Sequence, residues 1–184
     1  MNIINPEIFI NDVISSISYW DDIGMLKYTT KHKEFHFNIR AIEIDFISGK
    51  TLSIDHREMT GFHFTDQPLE IDDWDESAIK IDMSNQPLFK KLINQKVTNI
   101  QTWLCDRLWE SKTESNYYQQ DLTINTENHG YLLCSSAEAE EKEPEIYLID
   151  SDELVVVTDK DISKKLQLEQ YATKNEQRYK KQQV

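Results

Sequence analysis

Glycine is scarce in this chain, with four in 184 residues and no GxG pair. Phosphate cradles of the P-loop and dinucleotide-binding types need backbone without Cβ atoms at fixed spacings, so the composition excludes ATP-driven and Rossmann-type chemistry. Cysteine is equally sparse. Cys105 and Cys134 lie in Leu-Cys-Asp and Leu-Leu-Cys-Ser contexts with no second thiol at metal or redox spacing, and they read as inert, reduced thiols. No stretch approaches the ~18 uninterrupted apolar residues of a membrane span. The amino-terminal run MNIINPEIFINDVISSISYW lacks a basic n-region and a small-residue cleavage site. A cytoplasmic protein with no membrane partner is the expectation.

Bases are the other shortage, 20 against 33 acids, for a net charge of −13. The imbalance is not even. Residues 160–184 hold seven bases and three acids, a net +4, which leaves −17 on residues 1–159. A field of that size speeds encounter with cationic partners and repels phosphate backbones and anionic lipid. The expected partner is therefore a cationic protein and not a nucleic acid. The charge also suggests the domain plan, a single domain over 1–159 followed by a basic carboxy-terminal helix over 160–184 that frays at its end.

Periodicity supplies the elements. Asn5-Pro6-Glu7 has the chemistry of a helix start, and Ile10, Val13, Ile14 and Ile17 follow at i, i+3, i+4, i+7, which predicts an amino-terminal helix ending near Asp21 to Gly24. From Phe35 the period becomes two. Phe35, Phe37 and Ile39 alternate with polar residues, then the apolar parity flips to Ile42, Ile44 and Phe46, which requires a bulge or break near Arg40-Ala41. Ser48-Gly49 reads as a turn into Leu52 and Ile54, with short strands at Phe62 to Phe64 and Ala78 to Met83. A short middle helix is predicted around Pro87, with Leu88, Phe89, Leu92 and Ile93 on one side. Val97 to Leu104 is extended, and Leu122 with Ile124, the Asn128-His129-Gly130 turn and Tyr131 to Cys134 form a second hairpin. Ile146 to Ile149 and Leu154 to Val157 are two further strands, the latter so uniformly apolar that both of its faces should be covered. Two hairpin regions with three peripheral helices make an α+β fold with a mainly antiparallel sheet.

Chemistry-bearing residues are few. His32 and His36 have the i, i+4 spacing of helical zinc ligands, but FHFNI is a strand pattern that sets them about 13 Å apart, so no metal site is expected. His36, His56, His63 and Asp55 could meet on the first sheet as an acid–base or ligand-binding set, the alternative to a purely binding function. His129 and Cys134, five positions apart across a turn, carry no nucleophile signature. The remaining feature is acidic: Asp66, Glu70, Asp72, Asp73, Asp75 and Glu76 surround Trp74 with no base among them. The run lacks the glycine and alternating ligands of a calcium loop. A large aromatic ringed by carboxylates suits a docking patch that fills a partner's pocket and pairs with its lysines and arginines. A second acidic knot, AEAEEKEPE from Ala137 to Glu145, reads as a connecting loop.

In charge, size and lack of catalytic motifs, and in the runs PLFKKLINQ, KVTNIQTWL and LIDSDELVVVTD, the chain resembles the immunity proteins of bacterial contact-dependent and other polymorphic toxin systems. That resemblance implies a non-enzymatic, cofactor-free protein that neutralises one toxin domain by covering its active site with carboxylates. It transfers no site residues. A further alternative is a nucleic-acid mimic that blocks a DNA-binding protein, which needs carboxylates spread along one face.

Overall fold

The computed structural model describes residues 6–57, 61–69, 78–107, 116–142, 145–166 and 179–181. Two antiparallel sheets pack face to face, and a single apolar core between them draws on both. The first sheet contains β1 (Ile14–Asp22), β3 (Ala41–Phe46), β4 (Thr51–Arg57), β5 (Gly61–Thr65) and β6 (Ala78–Asp82), in the spatial order β5-β4-β3-β1-β6. The second contains β2 (Phe35–Ile39), β7 (Val97–Arg107), β8 (Asn116–Thr126), β9 (Tyr131–Lys142), β10 (Glu145–Val157) and β11 (Tyr179–Lys181), in the order β11-β7-β8-β9-β10-β2. The mainly antiparallel sheet read from the sequence is present; the helices are fewer and shorter than expected. Among the described residues there are two, α1 (Leu26–Thr29) and α2 (Lys160–Lys165), and no helix is long and apolar enough to cross a membrane.

The amino-terminal helix is a correction. Pro6–Phe9 forms one 3₁₀ turn, Asn11 takes a left-handed φ of 71°, and the chain from Ile14 is strand. The helix-like spacing has a specific origin: the β1–β3 ladder shifts register between Ile14 and Ser16, so one extra residue separates Ile14 from Ile17 while both point into the core. From Ile17 the true period of two continues through Tyr19 and Asp21, all buried. The run Ile-Ser-Tyr-Trp is β-favouring in any case.

The middle helix is also a correction. Residues 84–94 form a chain of tight turns in which Phe89 N donates to Gln86 O at 3.0 Å and Leu92 N to Phe89 O at 2.7 Å, without a continuous i→i−4 ladder. Leu88, Phe89 and Leu92 still bury their side chains, so the apolar stripe was real and its conformation was not. Among the described residues of the basic tail, Lys160–Lys165 is helical, capped by Asp159 accepting from Asp161 N and Ile162 N. Tyr179–Lys181 is extended and pairs with Trp103 to Cys105. The knot AEAEEKEPE is a third correction. Its described residues lie in the β9–β10 hairpin, with Glu138, Glu140 and Lys142 paired to Ile149, Tyr147 and Glu145.

The parity flip between Phe37 and Ile42 is where one run of chain changes sheets. Asn38 adopts φ 56° at a register shift in the β2–β10 ladder, and pairing stops at Arg40. Ile39 then pairs with Leu154 in the second sheet and Ala41 with Trp20 in the first. Leu154 to Val157 is covered on both faces, as its unbroken apolarity required. Leu154 and Val156 join the main core, while Val155 and Val157 pack with Phe35, Phe37, Tyr131 and Leu133 under Ile162 and Leu166.

Candidate functional site

Alternation along β3 sends Ile42, Ile44 and Phe46 into the core and puts Glu43 and Asp45 on the opposite face of the first sheet. In register beside them stand Ser16 and Ser18 of β1 and Thr51 and Ser53 of β4. This polar face is largely shielded from solvent, with Ser16 and Asp45 half-buried. Glu43 and Ser53 have no exposed surface, and Ser18, Thr51 and Asp55 are buried as well.

A carboxylate excluded from water is costly unless it is paired and hydrogen-bonded. Glu43 is both. Its Oε1 accepts from the backbone N of Leu69 at 2.5 Å, and its Oε2 lies 2.5 Å from Lys80 Nζ. Ser53 Oγ donates to the backbone O of Gln67 at 2.8 Å. Lys80 also approaches Asp45 at 3.7 Å, and Asp45 accepts from Ser16 Oγ at 2.8 Å and Thr51 Oγ1 at 2.7 Å. Burial alone would lower the Lys80 ammonium's pKa, but the hydrogen bonds and charges of Glu43 and Asp45 outweigh it and raise the pKa above its ordinary value. One buried carboxylate therefore ties down Leu69, just before the acidic run, and Lys80, just after it.

Of the acidic set read from the sequence, Asp66 is described: it is half-buried and accepts from Gln67 Nε2 at 3.5 Å. Glu70, Asp72, Asp73, Trp74, Asp75 and Glu76 lie outside the described residues. The chain resumes at Ala78 in β6, which among the described residues pairs on one side only, Ala78 with Asp22 and Ile79 with Asp21. Large apolar side chains are exposed where that ladder ends. Ile79 is 44% exposed, and the residues that follow β1 include Ile23 at 68%, Met25 at 47% and Tyr28 at 54%.

The histidine and aspartate set is divided between the sheets. His36 belongs to β2 in the second sheet, where it is buried with Nδ1 2.9 Å from Tyr19 Oη and its ring edge-on to Phe89. Burial lowers its pKa to about 4, and burial likewise raises the Tyr19 phenol well above its usual range, so a neutral imidazole meets a neutral phenol. Asp55 and His63 are register partners in the first sheet, while His56 is opposite Phe62. Cys134 is a fully buried free thiol in the main core. Among the described residues no group of three His, Cys, Asp or Glu side chains could hold a metal ion.

Glu43 had no signal in the sequence that set it apart from the other acids. Its role depends on groups 26 and 37 positions away that the sheet brings to it. No protein-family model, curated protein or solved structure matches this chain.

Proposed function

We propose that this protein is a binding module for a basic protein, of the immunity type, which neutralises a toxin domain by docking its acidic segment over that partner. The observation that carries the reading is the Glu43 staple. A strongly acidic, tryptophan-bearing segment that begins beside Leu69 and ends beside Lys80 is held at both ends by one buried carboxylate, next to exposed Ile79. Fixing the ends of a docking segment reduces the ordering entropy lost on binding. Carboxylates steer the encounter, and an aromatic anchor slows escape.

The test is kinetic, using the product of the adjacent gene as partner at two ionic strengths. Reversing Asp72, Asp73, Asp75 and Glu76 to lysine is expected to slow association by about ten-fold or more at low salt and to flatten its salt dependence. Trp74→Ala should act on dissociation, raising it by about thirty-fold if the ring is an anchor worth ~2 kcal/mol. Unchanged association and dissociation rates in both variants would remove this segment from the interface.

A further inference from the structure

A second site is formed by different residues. The turns at Lys91 to Gln95 and Asn128 to Gly130, together with Thr158 to Lys160, line a half-open surface cavity of about 500 Å³ with Tyr131 in its wall. That is within the range of small-ligand sites, ~300–1,000 Å³. Its charge is the reverse of the molecule's. In a chain of net −13, the lining carries two lysines, Lys91 and Lys160, and one carboxylate, Asp159. Asp159 is already committed, because its Oδ1 accepts from Asp161 N at 2.8 Å and Ile162 N at 3.3 Å. Lys91 makes no ion pair among the described residues, and Lys160 Nζ rests 5.3 Å from the centre of the Tyr131 ring.

The backbone around this cavity is held in costly conformations. Asn128 and His129 are consecutive residues at φ 59° and 63°, a region bulky side chains rarely occupy and one that recurs at functional sites. The turn is braced by Asn128 Nδ2 donating to Gln95 Oε1 at 2.8 Å, which leaves the Gln95 amide nitrogen as a donor. A Cβ at Gly130 would collide with Thr126 Oγ1, which would have to move, and come within 3.1 Å of Leu92 Cδ2. Two lysines that make no ion pair among the described residues, the Gln95 amide and Thr158 line one concavity.

We propose that this cavity binds a small oxyanion of the phosphate type, either free or as a phosphate monoester. The molecule's net charge opposes approach only weakly, because at physiological salt the screening length is ~8 Å, whereas the two lysines act at contact. Charge-assisted hydrogen bonds at contact range are the strong ones.

The experiment follows backbone amide shifts of the full chain during titration with inorganic phosphate, with adenosine monophosphate, and with sodium chloride at matched ionic strength. Expected are saturable shifts centred on Lys91, Gln95, Asn128, His129 and Lys160 with the phosphates and not with chloride. Equal affinities would make the phosphate group the whole ligand, and tighter nucleotide binding would extend the site to the carrier. Lys91→Gln/Lys160→Gln should weaken either phosphate by about ten-fold or more. Lys91→Gln alone, at an exposed residue with no ion pair among the described residues, decides the matter if the double variant loses its fold. Shifts that do not saturate, or affinities unchanged in these variants, would overturn the proposal.

Discussion

His36 is 3% exposed and its pKa is lowered to about 4, so the folded chain keeps this ring neutral through a range where an unfolded one takes up a proton. Above the ordinary value near 6.5 both states are neutral and the fold has its full stability. As pH falls from there toward 4, the unfolded chain gains a proton that the folded chain refuses, and stability is lost by up to ~1.4 kcal/mol per pH unit. Urea unfolding at pH 7 and pH 5 checks this. The unsubstituted protein should lose about 2 kcal/mol more than His36→Gln over that interval, because glutamine retains a partner for Tyr19 Oη without titrating. Equal losses would assign the acid sensitivity to other groups.

At the level of elements, β10 offers the sharpest test. Val156 has no exposed surface and lies between β9 and β2, opposite Cys134 and His36. Val156→Asp puts a charge where neither face of the strand reaches water, a change expected to cost more than ~4 kcal/mol and to unfold the domain. A folded variant with native near-ultraviolet dichroism would refute the placement. This strand was legible in the sequence because Leu154-Val155-Val156-Val157 allows no polar face. The hairpins around Ser48-Gly49 and Asn128-Gly130 were legible because alternation and turn residues agreed. Failures came where a local irregularity altered the period. The extra residue between Ile14 and Ile17 imitated a helix, and the Ala-Glu alternation from Ala137 was itself a period of two, masked by its charge. Of the candidate site, the acids around Trp74 stand out in the sequence but lie outside the described residues; the Glu43 staple does not stand out, because its partners are assembled only by β3, β6 and the chain at Leu69.

For the whole molecule, the main core joins residues of both sheets, including Ile17, Ile42 and Leu52 from one and Ile39, Leu122 and Val156 from the other. Neither sheet can lose its partner without exposing that surface, which predicts a single cooperative transition. Scanning calorimetry of the full chain should give equal calorimetric and van't Hoff enthalpies. Two resolved transitions would show that the sheets are separable units.

The change of sheets at Arg40 gives this unity a covalent basis. Ile39 and Ala41 are separated by one residue, at most about 7 Å of chain, yet each is committed to a different sheet. Seating β2 against β10 therefore holds the start of β3 beside the second sheet, so that pairing β3 with β1 brings the two sheets together with almost no connecting loop to order. A chain nicked at Arg40 would become two fragments, one carrying β1 and β2 and the other β3 and β10, so that both pairings would turn from closures within one chain into a single association that depends on concentration.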